Sequence, residues 1–170
     1  MNKSEHCKEV YAYFGLAMFR AQCVEQSIIQ LLIFLVFFKE NATKISSAEK
    51  WELEFDNFDK TLSKKTMGHL LGALRELGVL NEVIENTLLK ALIKRNWLAH
   101  GYFVDRAIEF LNESGRNKMI GELESIIDLF NLAEDFLQPI SKRLALQYGL
   151  TDDKLEKMKK EIYPSEIDDM

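Results

Sequence analysis

Proline and glycine are scarce in this chain, at 2 and 8 of 170 residues. A protein of many short strands needs more turn residues than that, so the composition points away from turn-rich β architecture. Cysteine is nearly absent: Cys7 and Cys23 lie several turns apart on one predicted helix, where they cannot face each other for a disulfide. They read as buried or free thiols in a reducing cytosol, which sets the expected location as cytoplasmic. His6, His69 and His100 stand at no mutual ligand spacing, and no C-x-x-C pair occurs, so no metal or other cofactor is expected. No glycine-rich phosphate loop and no G-x-S-x-G elbow is present either. The segment Met1 to Glu9 is polar and lacks the pattern of a secretory signal. The longest apolar run, Ile28 to Phe38, covers about 11 residues where a spanning helix needs roughly 20, so a buried helix end or a subunit interface is expected and no membrane. Excess positive charge is missing as well. A net charge of -5 argues against a protein that coats nucleic acid, and confines any RNA contact to a local patch.

What is present is helical periodicity. One domain is the default at this length. The expected fold is all-α, a bundle of four main helices plus short helices over residues 1–148, followed by an acidic amphipathic tail over 149–170. The first helix is predicted from Ser4, as N-cap, to Lys39. Val10, Tyr11, Phe14, Ala17, Met18, Ala21, Ile28, Ile29 and Leu32 form its apolar stripe, with Glu25 on the same line. After Ile28 apolar residues surround the whole helix, and a second subunit would supply the extra cover. Asn41 to Lys65 is polar, with Trp51, Phe55 and Phe58 spaced for one face of a short helix. Packing is the expected role of these aromatics, and a base-stacking platform the functional alternative.

A second main helix is predicted from Thr66 to Leu77, stopped by Gly78; Gly68 and Gly72 would let a neighbouring backbone approach, and His69 reads as a surface residue. The third runs from an Asn81 cap to His100 with Gly101 as a left-handed stop. Tyr102 to Asn112 reads as a strand-like extension or a short helix, and Glu113 to Asn117 as a loop. The fourth spans Lys118 to Tyr148, with Pro139 expected to kink or restart it and Gly149 to end it. Thr151 to Asp153 cap the final segment to Tyr163, ahead of the acidic end Ser165 to Met170.

The chemistry concentrates at Lys94-Arg95-Asn96-Trp97-Leu98-Ala99-His100-Gly101. On a helix Arg95 falls on the line of Ile84, Leu88, Ala91 and Ala99, in an apolar stripe where a guanidinium has to be paired. Glu25 is the expected partner, and breaking such a pair when buried costs about 3–5 kcal/mol. His100 sits in the last turn, where a histidine can exchange protons near neutral pH. An arginine and a histidine without metal ligands suit cleavage of an RNA phosphodiester by its own 2′-hydroxyl, the histidine moving the proton and the arginine holding the developing charge.

The segment Arg95-Asn96-Trp97-Leu98-Ala99-His100 resembles the R-x(4-6)-H motif of HEPN domains, including the polar residue after the arginine, and it falls late in the third helix of a small bundle. The resemblance implies a homodimer that brings two motifs into one cleft, metal-independent endoribonuclease activity, and a role as toxin or defence nuclease, with an antitoxin or other partner protein. It carries Arg95, Asn96 and His100 over as active-site residues. Glu25 would orient Arg95, and Lys90, Lys94 and Arg106 would hold a short stretch of RNA. The competing expectation is a non-catalytic helical dimerisation or interaction module, with Glu25 and Arg95 only locking the first helix to the third.

Overall fold

The computed structural model describes residues 3–162, which form helices joined by short turns, with no strand among the described residues. The first helix, α1 (Lys3–Leu32), passes into a π-helical stretch, Ile33–Phe38, and a last short turn, α2 (Lys39–Asn41). Next come α3 (Ala48–Ser63), α4 (Met67–Glu76) and α5 (Glu82–His100). Two single-turn pieces, α6 (Tyr102–Asp105) and α7 (Ala107–Phe110), lead into α8 (Glu113–Gln147) and α9 (Asp152–Ile162).

Polar caps set the starts of these helices. Ser47, Thr66 and Asn81 each accept a backbone N–H three residues on, and so do Asn112 and Thr151. Stops come from Gly78 and Gly149, the two glycines with positive φ, at +64° and +72°. Gly101 is different. Its φ of −138° lies outside the left-handed region, so the chain turns from α5 into α6 without the expected glycine stop. Ser4 lies inside α1 and is not its N-cap. Tyr102 to Asn112 resolves into α6 and α7, so the strand-like alternative falls away. Residues 113–117, expected as a loop, form the first turn of α8: Asn112 Oδ1 accepts from Gly115 N at 2.8 Å, and Gly115 lies so close to the Glu109 backbone that a Cβ would collide with it. Polarity suggested a loop there, but the residues are a capped turn under a close backbone approach. Gly68 and Gly72 do not serve that purpose. A Cβ at Gly68 would meet only side chains, the nearest being Leu92 at 3.7 Å, and one at Gly72 would meet nothing within 4 Å.

α1 is the central element and packs most extensively on α8. The two run in the same direction, since Tyr13 faces Glu124, Ser27 Oγ donates to Glu134, and Phe34 stacks on Tyr148. α5 runs against α1, with Arg95 beside Glu25 and Tyr102 beside Phe14. The core between them holds Val10, Ala17, Ile28, Leu74, Leu88, Leu123 and Phe130, all fully buried. α8 continues unbroken through Pro139. In the tail, α9 is exposed along its described side chains and is tied back by Lys142 to Asp152 at 2.7 Å; the end from residue 163 lies outside the described residues.

Within the chain itself, α3 and Tyr148 cover much of the apolar end of α1. Phe37 is buried against Trp51, Phe55 and Phe58 of α3, with ring centroids 5.0, 5.6 and 5.5 Å away. Tyr148, just past α8, covers Phe34 and Phe38. The three α3 aromatics are therefore packing groups, half-buried against the core. The continuous helix Lys3–Asn41 contains a stretch of mean hydropathy 1.7, long and apolar enough by length and composition to cross a membrane, and 44% of that stretch is buried within the fold. The core helix of a globular protein has the same profile.

Candidate functional site

Asn81 starts α5, and Leu88, Ala91 and Leu98 anchor it in the core, which fixes where its last two turns emerge. Arg95 leaves the helix toward α1, and its Nε lies 3.0 Å from Glu25 Oε1. The side chains are 26% and 19% exposed, so the pair is neither dry nor fully solvated. The contact is one of charge more than of direction, because the Nε–H does not point at Oε1 and no other described group donates to that oxygen. Arg95 lies at the rim of the buried stripe and not at its middle. Ala99, expected on the same line, is exposed, since the helix has by then run past the core.

Arg95 Nη1 donates to Asn96 Oδ1 at 3.3 Å, which joins two of the three motif residues. Asn96 and His100 are both exposed, and the His100 ring makes no hydrogen bond or ion pair with the described residues. Arg95 and His100 do not meet within one chain. Five positions apart on a helix puts them about 140° round the axis from each other, one turned to α1 and the other to solvent.

Of the three expected RNA-binding cations, Lys90 is exposed and without a salt bridge to the described residues. Lys94 is half-buried, its Nζ 4.9 Å from the centre of the Trp97 ring. Arg106 is not a free cation. It donates from Nε and Nη2 to the two oxygens of Glu122, both at 2.8 Å, and its guanidinium also lies 4.9 Å from the Trp97 ring centre. The Glu122 hydrogen bond pushes the guanidinium still higher above its ordinary range. Trp97 Nε1 in turn donates to Asp105 Oδ2 at 2.7 Å, and the Trp97 ring meets the edge of Tyr102. Tyr102 is buried and donates its O–H to the Met119 carbonyl at 3.2 Å. Burial first, and the Glu122 charge second, push its phenol well above the usual tyrosine range. Lys94, Trp97, Arg106 and Glu122 thus form a brace that holds the end of α5 onto α6 and α8.

Sequence reasoning missed that brace, because Glu122 carries no motif and only its hydrophobic neighbours stand out. It also missed Ile93, which is 66% exposed on the same face as Asn96 and His100. A signal existed: Ile93 sits opposite the Leu88 and Ala91 stripe, where an isoleucine has no core to join. A shallow cleft beside Glu25, lined by Cys23, Gln26, Ser27 and Glu134 among others, does not reach Arg95 or His100. Among the described residues no three His, Cys, Asp or Glu side chains converge as metal ligands.

Fold and site together define an all-α protein that presents a braced helix end carrying one anchored arginine and one free histidine. No protein-family model matches the chain, and searches of curated proteins and of solved structures give no significant match.

Proposed function

We propose that the chain is a metal-independent endoribonuclease of the HEPN kind, acting as a homodimer in the cytoplasm, with Arg95, Asn96 and His100 as its active-site residues. One contrast carries the reading: within a single helix end Arg95 is anchored by Glu25, while His100, five residues on, has no described partner. A side chain held in place suits a group that must meet charge building on a phosphate, and an unpaired imidazole suits one that must take or give a proton.

In the reaction the 2′-oxygen forms a bond to phosphorus as its proton passes to a histidine, and the bond from phosphorus to the 5′-oxygen breaks. A second histidine protonates the departing oxygen, leaving a 2′,3′-cyclic phosphate and a 5′-hydroxyl. Two copies of the site provide the two histidines. The dimer also resolves the 140° separation, since the arginine of one protomer can face the histidine of the other. Exposed Ile93, beside Asn96 and His100, supplies apolar surface for that contact. Biologically this would suit a toxin or a defence nuclease held in check by an antitoxin.

The test is cleavage of single-stranded RNA in the presence of chelator. Wild type is expected to yield cyclic-phosphate ends, with His100→Ala and Arg95→Ala each slower by about 10²–10⁴-fold. Equal cleavage by all three proteins, or none by wild type, overturns the proposal. A second reading, a non-catalytic interaction module, draws on the same exposed Ile93; it predicts a dimer that leaves RNA intact.

A further inference from the structure

A cleft of about 650 Å³ opens where α3 turns into α4, lined by Lys64, Lys65, Thr66, His69 and Gly72, with Glu76 further along α4. Its near end is entirely basic or neutral. Lys64, Lys65 and His69 are exposed and make no salt bridge with the described residues. The ring of His69 is held: Thr66 Oγ1 lies 2.8 Å from Nδ1 and also accepts from the His69 backbone N–H. In the tautomer with the ring proton on Nε2, the Thr66 hydroxyl donates to Nδ1. That tautomer leaves Nε2 as the donor the cleft would use. Gly72 leaves the floor open, since even a Cβ there would touch nothing within 4 Å.

The position of this cleft relative to α5 gives it meaning. α4 and α5 form an antiparallel hairpin whose register is fixed by Arg75 with Glu85, 2.6 Å apart, and by Gly68 against Leu92. α4 begins at Met67, so the Lys64 to Thr66 turn lies at the end of the hairpin where α5 carries Arg95 and Asn96. Leu92, which faces α4, points between the directions of Arg95 and Asn96 on the α5 helical wheel. The basic end of the cleft therefore lies toward the end of the hairpin at which α5 carries the anchored arginine.

We propose that this cleft is a phosphate-binding subsite for the backbone of single-stranded RNA, leading the strand to Arg95. It rests on the reading of the chain as a ribonuclease, and it supplies the strand-holding cations that Arg106, committed to Glu122, does not. Its chemistry is that of a phosphate oxyanion met by two ammonium groups and one imidazole N–H, without a base-reading element, so it selects backbone and not sequence.

The test measures binding separately from cleavage. A short fluorescent RNA carrying 2′-O-methyl groups cannot be cut by its own hydroxyl, and its anisotropy is followed across a salt series. The double variant Lys64→Ala/Lys65→Ala is expected to bind at least 10-fold more weakly at low salt. The slope of its log affinity against log salt should be shallower by about 1.4, at roughly 0.7 for each single-strand phosphate that is no longer neutralised. Gly72→Glu, which places a carboxylate in the open floor, should lose binding to a similar extent. Unchanged affinity and slope in the double variant overturn the subsite, as does a wild type that binds inorganic phosphate but not the RNA. If the double variant cleaves natural RNA with unaltered KM, the subsite falls and the ribonuclease stands. If binding follows the lysines while no protein cleaves, the ribonuclease falls and the subsite stands.

Discussion

The far end of α1 and the far end of α5 both carry side chains that a lone helix cannot accommodate, yet the chain treats them in opposite ways. At Ile33–Phe38 the excess is apolar, and it is absorbed internally: α3 folds back to bury Phe37, and Tyr148 closes over Phe34 and Phe38. At Lys94–His100 the excess is polar. Arg95 gets one carboxylate and Trp97 gets a brace, while Asn96, His100 and Ile93 are left facing solvent. Apolar surface is costly to leave in water, so the fold spends a helix on it. A free histidine costs little to leave exposed, so folding places no demand on what His100 faces.

The largest expected effect breaks the closed end. Phe37→Ala removes a buried ring that touches four other aromatics, and should cost about 3–5 kcal/mol in urea unfolding. Cleavage per folded molecule should be unchanged. A cost below about 1 kcal/mol would mean that the aromatic end is not a closed core.

Next in size is the Glu25 and Arg95 pair, which links the two regions through α1. For a fully buried pair the sequence suggests about 3–5 kcal/mol, but the observed pair is partly solvated and poorly directed. Glu25→Ala should therefore cost about 1–2 kcal/mol, between the surface and buried limits. RNA cleavage should fall further than stability does, since Arg95 loses its anchor. Cleavage that simply follows the folded fraction would make the pair purely structural.

Much of this contrast was legible in the sequence, and the parts that were not share a cause. Helical periodicity located α1, α4, α5 and α8, and Ser47, Thr66 and Asn81 carry capping chemistry that needs only local partners. Glu25 and Arg95 could be paired because each charge interrupts an apolar stripe. Tertiary events left no such mark. That Phe37 is covered by α3 depends on where a polar-looking segment folds, and that Arg106 is taken by Glu122 depends on the path of α6 and α7. Residues 113–117 look like a loop by composition, yet Asn112 caps them as a helix start and Gly115 permits the close approach of the Glu109 backbone.

A smaller effect is expected just past the end of α5, where buried Tyr102 follows the motif. Tyr102→Phe removes the hydrogen bond to the Met119 carbonyl and should cost about 1 kcal/mol at neutral pH. It should also change the alkaline limb. Because the folded phenol titrates above its unfolded value of 10.0, the unfolded chain loses its proton first. The stability held by the neutral phenol is thus complete below about pH 10 and declines as pH rises beyond it. The wild type should lose stability across that range more steeply than Tyr102→Phe, as read by denaturant midpoints at successive pH values. Parallel curves for the two proteins would remove Tyr102 as the cause.

The smallest effect on folding is expected at Ile93, and it bears most directly on the open end. Ile93→Glu replaces an exposed isoleucine by a residue of good helix propensity, so the stability of the isolated chain should change by no more than about 0.5 kcal/mol. If the open end of α5 meets a second copy, however, the substitution puts a carboxylate into an apolar contact beside Asn96 and His100. Light scattering should then show wild type as a dimer and the variant shifted toward monomer, with cleavage falling at low protein concentration and recovering as concentration rises. A variant that stays dimeric and fully active would leave Ile93 outside the interface, and the open end of α5 would then have to work without a second copy pressed against that face.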